Sequence, residues 1–334
     1  MLTLALFFAC SGQTASVGGG GGSDGVDEPA PADDTDDVDG IVGFTNGFVP
    51  HALRRDGDRL LVAGEQAGDM ALLALDLNLQ PITSFGDGGR VLIDMGGDPS
   101  GIFPHDVDGA WDVIAVGDAL WLGGLGASIL AGAEGDFALA KLTRDGALDA
   151  SFSGDGRVLT DWTVDASIDV LLPNDNDIVA LGAIDNGGGN LDIAGARYRA
   201  DGSVVDGWGT EGTGIVLGRG GQEYAPVATM VPGGIAVAAG SNFQVARFNR
   251  DTGDVDTSWG TDGWSDAVDG VAQALLHWRE GLMQLGVYND EDGGLLRLVA
   301  LQADGHLDTT FGVGGVADVA IPLDVLDLGA ESVP

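Results

Sequence analysis

Short apolar runs separated by polar, glycine-rich turns fill the chain from about residue 50 to 320, and none has the spacing of an amphipathic helix. One kind of run recurs: MALLALDL at 70–77, FALAKL at 137–142, DIAGARY at 192–198, FQVARF at 243–248 and LLRLVAL at 295–301. A turn signal follows four of them, as Asp145-Gly146, Asp201-Gly202, Asp251-Thr252-Gly253 or Asp304-Gly305; the first has Asn78-Leu79 instead. Asp-Gly between apolar runs marks a tight turn, because both residues tolerate positive φ. Two further runs precede each of these in most units, such as PHAL with RLLVAGE, DVLL with DIVALGAI, VATMV with GIAVAAG and ALLHW with GLMQLGV. One more β-prone run comes after, such as RVLID or GIVL. The pattern predicts four short strands per unit, repeated along the chain.

Between the third and fourth runs lies an aromatic with a glycine four residues later. The pairs are Phe85 and Gly89, Phe152 and Gly156, Trp208 and Gly212, Trp259 and Gly263, Phe311 and Gly315. Successive aromatics are 67, 56, 51 and 52 residues apart. Periods of that length with four strands each predict an all-β propeller of four-stranded blades. Five copies imply five blades; the β-prone ends at 41–50 and 317–334 leave six as the alternative. The runs are rich in Ala, Val and Gly, which lets neighbouring sheets pack face to face at about 10 Å. The aromatic is expected to insert between blades and the glycine to let the backbone double back. Five copies of one motif read as architecture, not as a catalytic loop.

These units resemble the delta-60 repeat family of bacterial β-propeller proteins, whose repeat has the form DG-x-LD-x-x-FG-x-x-G-x-V. The resemblance covers roughly 50–320. It is closest at Asp145-Gly146 with Leu148, Asp149 and Phe152, and at Asp304-Gly305 with Leu307, Asp308, Phe311 and Gly312. The first copy departs with Pro81-Ile82, the second with Ser153, and the third with its acid moved to Asp206. The resemblance implies a propeller in an extracytoplasmic setting and brings no catalytic residues with it.

The chain opens MLTLALFFACSG, and Cys10 is its only cysteine. An apolar run ending in a small residue before Cys looks like a bacterial lipoprotein signal, with 1–9 removed and Cys10 lipidated. Ser11 in the next place resembles signals sorted to the outer membrane, with a periplasmic or cell-surface location. Ten apolar residues are too few to span a hydrocarbon core of about 30 Å. Residues 10–40 then read as the lipidated Cys followed by a disordered tether, Gly-rich and holding eight acids and no base. Residues 41–334 read as a single propeller domain. The formal charge is -38 with 14 basic residues, only one of them lysine. Such a surface repels nucleic acid and anionic headgroups, so the membrane is reached through the lipid alone.

No HExxH or GxxxxGK[ST] pattern is present, the GxSxG string GGSDG at 21–25 falls in the Gly-rich linker and not at a strand-to-helix elbow, and the four histidines are scattered. The repeated acids Asp149, Asp256 and Asp308 are read as caps for the turns that follow them. The long stretch MGGDPSGIFPHDVDGAWD at 95–112 places His105, Asp106, Asp108 and Asp112 where oxygen ligands and one imidazole could surround Ca²⁺. A solvated acidic loop without any cofactor is the alternative. The expected function is a monomeric, non-enzymatic, envelope-anchored propeller displaying a face for a protein, glycan or cation. The alternatives are a propeller-borne hydrolase or lyase acting on extracellular polysaccharide, and a structural component of the envelope.

Overall fold

The computed structural model describes residues 47–96, 108–127, 135–185, 191–209, 214–217, 227–238, 242–290 and 293–320. The expected lipoprotein signal with Cys10, the acidic stretch read as a tether, His105, Asp106 and Gly212 lie outside the described residues. Every regular element described is a strand.

The first sheet holds β1 (Phe48–Asp56), β2 (Arg59–Gln66), β3 (Asp69–Asp76) and β4 (Arg90–Ile93). The second holds β5 (Gly109–Val116), β6 (Ala119–Ala127), β7 (Gly135–Thr143) and β8 (Arg157–Thr160). The third holds β9 (Ala166–Asn174), β10 (Asp177–Asp185), β11 (Leu191–Tyr198) and β12 (Ile215–Leu217). The fourth holds β13 (Val227–Val231), β14 (Gly234–Ala238) and β15 (Val245–Asn249). The fifth holds β16 (Val271–Trp278), β17 (Gly281–Asp290), β18 (Gly293–Leu301) and β19 (Val316–Ala320). Each sheet is an antiparallel meander in sequence order, and the protein is a β-propeller whose described residues form five blades.

The fourth blade departs from expectation. Its fourth strand is reduced to one bridge between Ala246 and Trp264. The segment there reads Trp-Ser-Asp-Ala, where other blades carry a run such as RVLI. The Ser265 hydroxyl instead accepts the Val245 N–H at 2.9 Å, so a side chain takes over from the ladder.

Burial explains why the units need one another. One core cluster joins Leu61, Met70, Leu72 and Phe85 of the first blade to Val113, Leu120 and Leu122 of the second. Others join the second to the third, the third to the fourth, and the fourth to the fifth. Each sheet is apolar on both faces and buries them only by stacking. Blade 1 breaks the series: among the described residues, Phe48, Val62, Ala71 and Leu75 cluster with Leu60 and Leu73 of their own blade. The first strands of successive sheets, from β1 to β16, lie side by side, each against the next.

Candidate functional site

The two ends of the blades carry different recurring features, and the antiparallel order of strands separates them. At the end where each third strand finishes, the aromatic of one blade sits beneath the glycine turn of the next. Phe85, Phe152, Trp208 and Trp259 are at most 4% exposed. A Cβ on Gly146, Gly202, Gly253 or Gly305 would lie 3.0, 3.1, 2.9 or 2.8 Å from those rings, respectively. Within each turn only the glycine takes positive φ, and the preceding Asp or Thr does not. A turn closed by one left-handed residue requires that conformation just once, so the Asp of an Asp-Gly pair need not use its tolerance of it.

Two hydrogen bonds complete each of these four latches. The residue after the aromatic donates its N–H to the carbonyl before the glycine: Gly86 to Asp145, Ser153 to Asp201, Gly209 to Thr252 and Gly260 to Asp304, at 2.7–2.8 Å. A second donor caps another carbonyl of the same turn. Where the aromatic is tryptophan, its indole does so, Trp208 to Arg250 at 3.1 Å and Trp259 to Ala303 at 2.9 Å. Where it is phenylalanine, a cation of the same blade substitutes, Arg59 to Arg144 at 2.7 Å and Lys141 to Ala200 at 3.0 Å. Gly89, Gly156, Gly263 and Gly315 all take positive φ, which lets the chain fold back after the aromatic. Asp149, Asp256 and Asp308 accept the N–H two residues on, at Ser151, Ser258 and Thr310, which holds the segment in shape. A cavity of about 300 Å³ opens at this end between the fourth and fifth blades, lined by Arg247, Trp259, His277 and Gln302.

At the opposite end, four of the five innermost strands carry a β-bulge near their start. The extra residue is His51 in β1, Trp111 in β5, Asp169 in β9 and Gln273 in β16. A bulge bends the strand and re-aims one side chain. Facing it on the second strand is always a glycine: Gly64, Gly124, Gly182 or Gly286. A Cβ there would run into the carbonyl oxygen of Val49, Gly109, Ser167 or Val271. The sequence carries this signal as the glycine in VAGE, LGGLG, ALGAI and QLGV.

The bulge residues share a place and differ in chemistry. His51 and Trp111 meet with ring centroids 3.9 Å apart. The His51 Nε2 is buried without a hydrogen-bond partner and lies 3.8 Å from Glu65. Burial holds the imidazole down at about 4 and raises the Glu65 carboxyl. The Asp169 carboxyl accepts from the Ala183 N–H, and burial pushes it up to about 7. Its Oδ2 is buried and has no partner. Gln273 is exposed.

The acids expected to hold Ca²⁺ part company. Asp112 is buried and accepts two hydrogen bonds from Arg54, at 3.0 and 3.1 Å, and one from the Leu171 N–H at 2.9 Å. It therefore ties the first three inner strands together. Asp108 is buried elsewhere and accepts the Met95 N–H at 2.7 Å. Its carboxylate oxygens lie within 4.8 Å of those of Asp69 and Asp94, two acids not singled out from the sequence.

Residues 122–152 match the model of a family described as "Domain of unknown function (DUF5122) beta-propeller". No curated protein matches the chain. Among solved structures, the chain is similar to an exo-beta-1,3-galactanase from Phanerochaete chrysosporium, at 13% identity and a TM-score of 0.40, over 81% of this chain and 64% of that one. It is also similar to a subtype N10 neuraminidase-like protein of A/little yellow-shouldered bat/Guatemala, at 9% identity and a TM-score of 0.43, over 82% and 86%. A third is an endo-arabinase from Bacteroides thetaiotaomicron, at 10% identity and a TM-score of 0.38, over 83% and 94%. The chain spans about two thirds of the length of the first of these.

Proposed function

We propose that this chain is a non-enzymatic, envelope-anchored binding propeller that takes a neutral glycan at the end carrying the bulges. The observation behind this is that one re-aimed position in each of four blades is kept by a glycine while its occupant changes from His51 to Trp111, Asp169 and Gln273. In a repeat protein, residues kept alike build the scaffold; those varied at a position the scaffold takes care to present serve recognition. The chemistry favours an uncharged ligand. Burial drives His51 and Asp169 toward their neutral forms, and a sugar ring combines an apolar face for Trp111 with hydroxyls for the buried His51 and Asp169 atoms. Binding to an array of neutral oligosaccharides tests it. Trp111→Ala and His51→Ala should each weaken a hit at least about tenfold, a loss of about 1.4 kcal/mol. Equal binding by the variants would dispose of the reading.

The anchor belongs to the same proposal: lipid on Cys10 and an acidic tether hold the propeller off a membrane outside the cytoplasm. Mass spectrometry of the membrane-extracted protein should find a diacylated N-terminal cysteine, absent in Cys10→Ala.

A hydrolase is the second reading, and Asp169 is what favours it. A carboxyl pushed up to about 7 keeps a proton to donate near neutral pH. Release of reducing ends from arabinan or galactan, lost in Asp169→Asn, would replace the binding reading with this one.

A further inference from the structure

We infer that the ring has a built-in seam between the fifth blade and the first, held unlatched by Leu79, and that it opens there rather than at the other four joints. The first blade has a turn of the same kind as the others. Leu79 donates its N–H to the Asp76 carbonyl at 3.0 Å, as Gly146 does to Thr143 at 3.1 Å. Asp76 donates to Gln80 as Thr143 does to Ala147, both at 2.8 Å. Leu79 also takes positive φ, 62°. It therefore occupies the place held by Gly146, Gly202, Gly253 and Gly305, where a single Cβ would already press on the incoming ring. A leucine side chain fills the space the aromatic needs.

The fifth blade lacks its half of the contact as well. Phe311 is only partly buried, unlike its four counterparts, and Val313 is 88% exposed. Among the described residues, Gly312 has no carbonyl across the joint to match the four bonds made at Gly86, Ser153, Gly209 and Gly260. Phe311 has no indole N–H, and position 300, which aligns with Lys141, is alanine. Among the described residues, no core cluster joins the fifth blade to the first, whereas one spans every other pair of neighbours. Glycine on one side and a capping donor on the other are missing from the same joint.

Adding both halves should close it. Leu79→Gly restores the socket and Phe311→Trp supplies the indole, so the pair should raise Tm by more than the two single gains together, by about 3 °C or more. The single variants control for the relief of positive φ at Leu79. Hydrogen exchange at the Gly312 amide should slow at least about tenfold in the pair. Additive Tm changes with unaltered exchange would overturn the seam. So would a gain that sedimentation traces to association between chains, since the ends would then meet another molecule instead of each other.

Discussion

The latch end and the bulge end of the propeller are built by the same repeats, yet they obey opposite rules. At the latches the side chains recur and the partners are interchangeable. Tryptophan's indole and a neighbouring Arg59 or Lys141 cap the same carbonyl, so the joint survives a change of residue. At the bulges the backbone recurs, fixed by Gly64, Gly124, Gly182 and Gly286, while the presented side chain is different in each blade. The first end holds the ring together, and the second is where the blades become distinguishable. The charge follows the same division. With so few basic residues against 52 acids, seven of the thirteen Lys and Arg among the described residues span two blades: Arg54, Arg59, Lys141, Arg144, Arg157, Arg197 and Arg250 all reach a neighbour. An acidic propeller is thus stitched at its joints by its scarce cations.

Perturbing each end should separate the two roles. The largest loss is expected for Phe152→Ala, which empties a fully buried socket and should cost about 3–5 kcal/mol in chemical denaturation. Asp112→Ala strands Arg54 and the Leu171 N–H and should cost about 3 kcal/mol. A value under about 1 kcal/mol would show that the inner strands do not depend on that clamp. Gly182→Ala forces a Cβ against the Ser167 carbonyl and should cost about 1–3 kcal/mol while moving Asp169, visible as a lowered carboxyl titration by NMR.

The pH response has a definite sign. The folded protein holds the Asp169 proton more tightly than the unfolded chain does. That contribution is complete below the ordinary aspartate value and is lost as pH rises toward about 7. Asp169→Asn should therefore flatten the stability profile between about pH 4 and 7, by at most about 1.4 kcal/mol per unit. Phe311→Ala comes last. At an unlatched joint it should cost under about 1 kcal/mol, far less than its twin at Phe152, and a cost equal to that twin's would erase the contrast.

Much of the scaffold was readable because repetition acts as its own control. Strand runs, turns and aromatics stood out by recurring, and five units became five blades. The second-strand glycine recurred too, but a glycine inside an apolar run has several explanations. Only the carbonyl across the strand shows that it makes room for a bulge. The site was harder, because its residues do not resemble one another: nothing in a linear text puts His51 beside Trp111, or aligns either with Asp169. The acids of 95–112 drew attention by crowding in sequence. In space Asp112 turns to Arg54 and Asp108 to Asp69 and Asp94, since neighbours along a bending connection need not share a direction.

By itself the sequence determined the local terms: where strands start and stop, which turns need glycine, and that thin apolar sheets must stack to be buried. Those depend on residues close along the chain. The tertiary structure alone decided which joints latch, which side chains the bulges turn inward, and which acids find a cation. Each of those outcomes depends on atoms from different blades coming within a few ångströms, and distance along the chain carries no record of that.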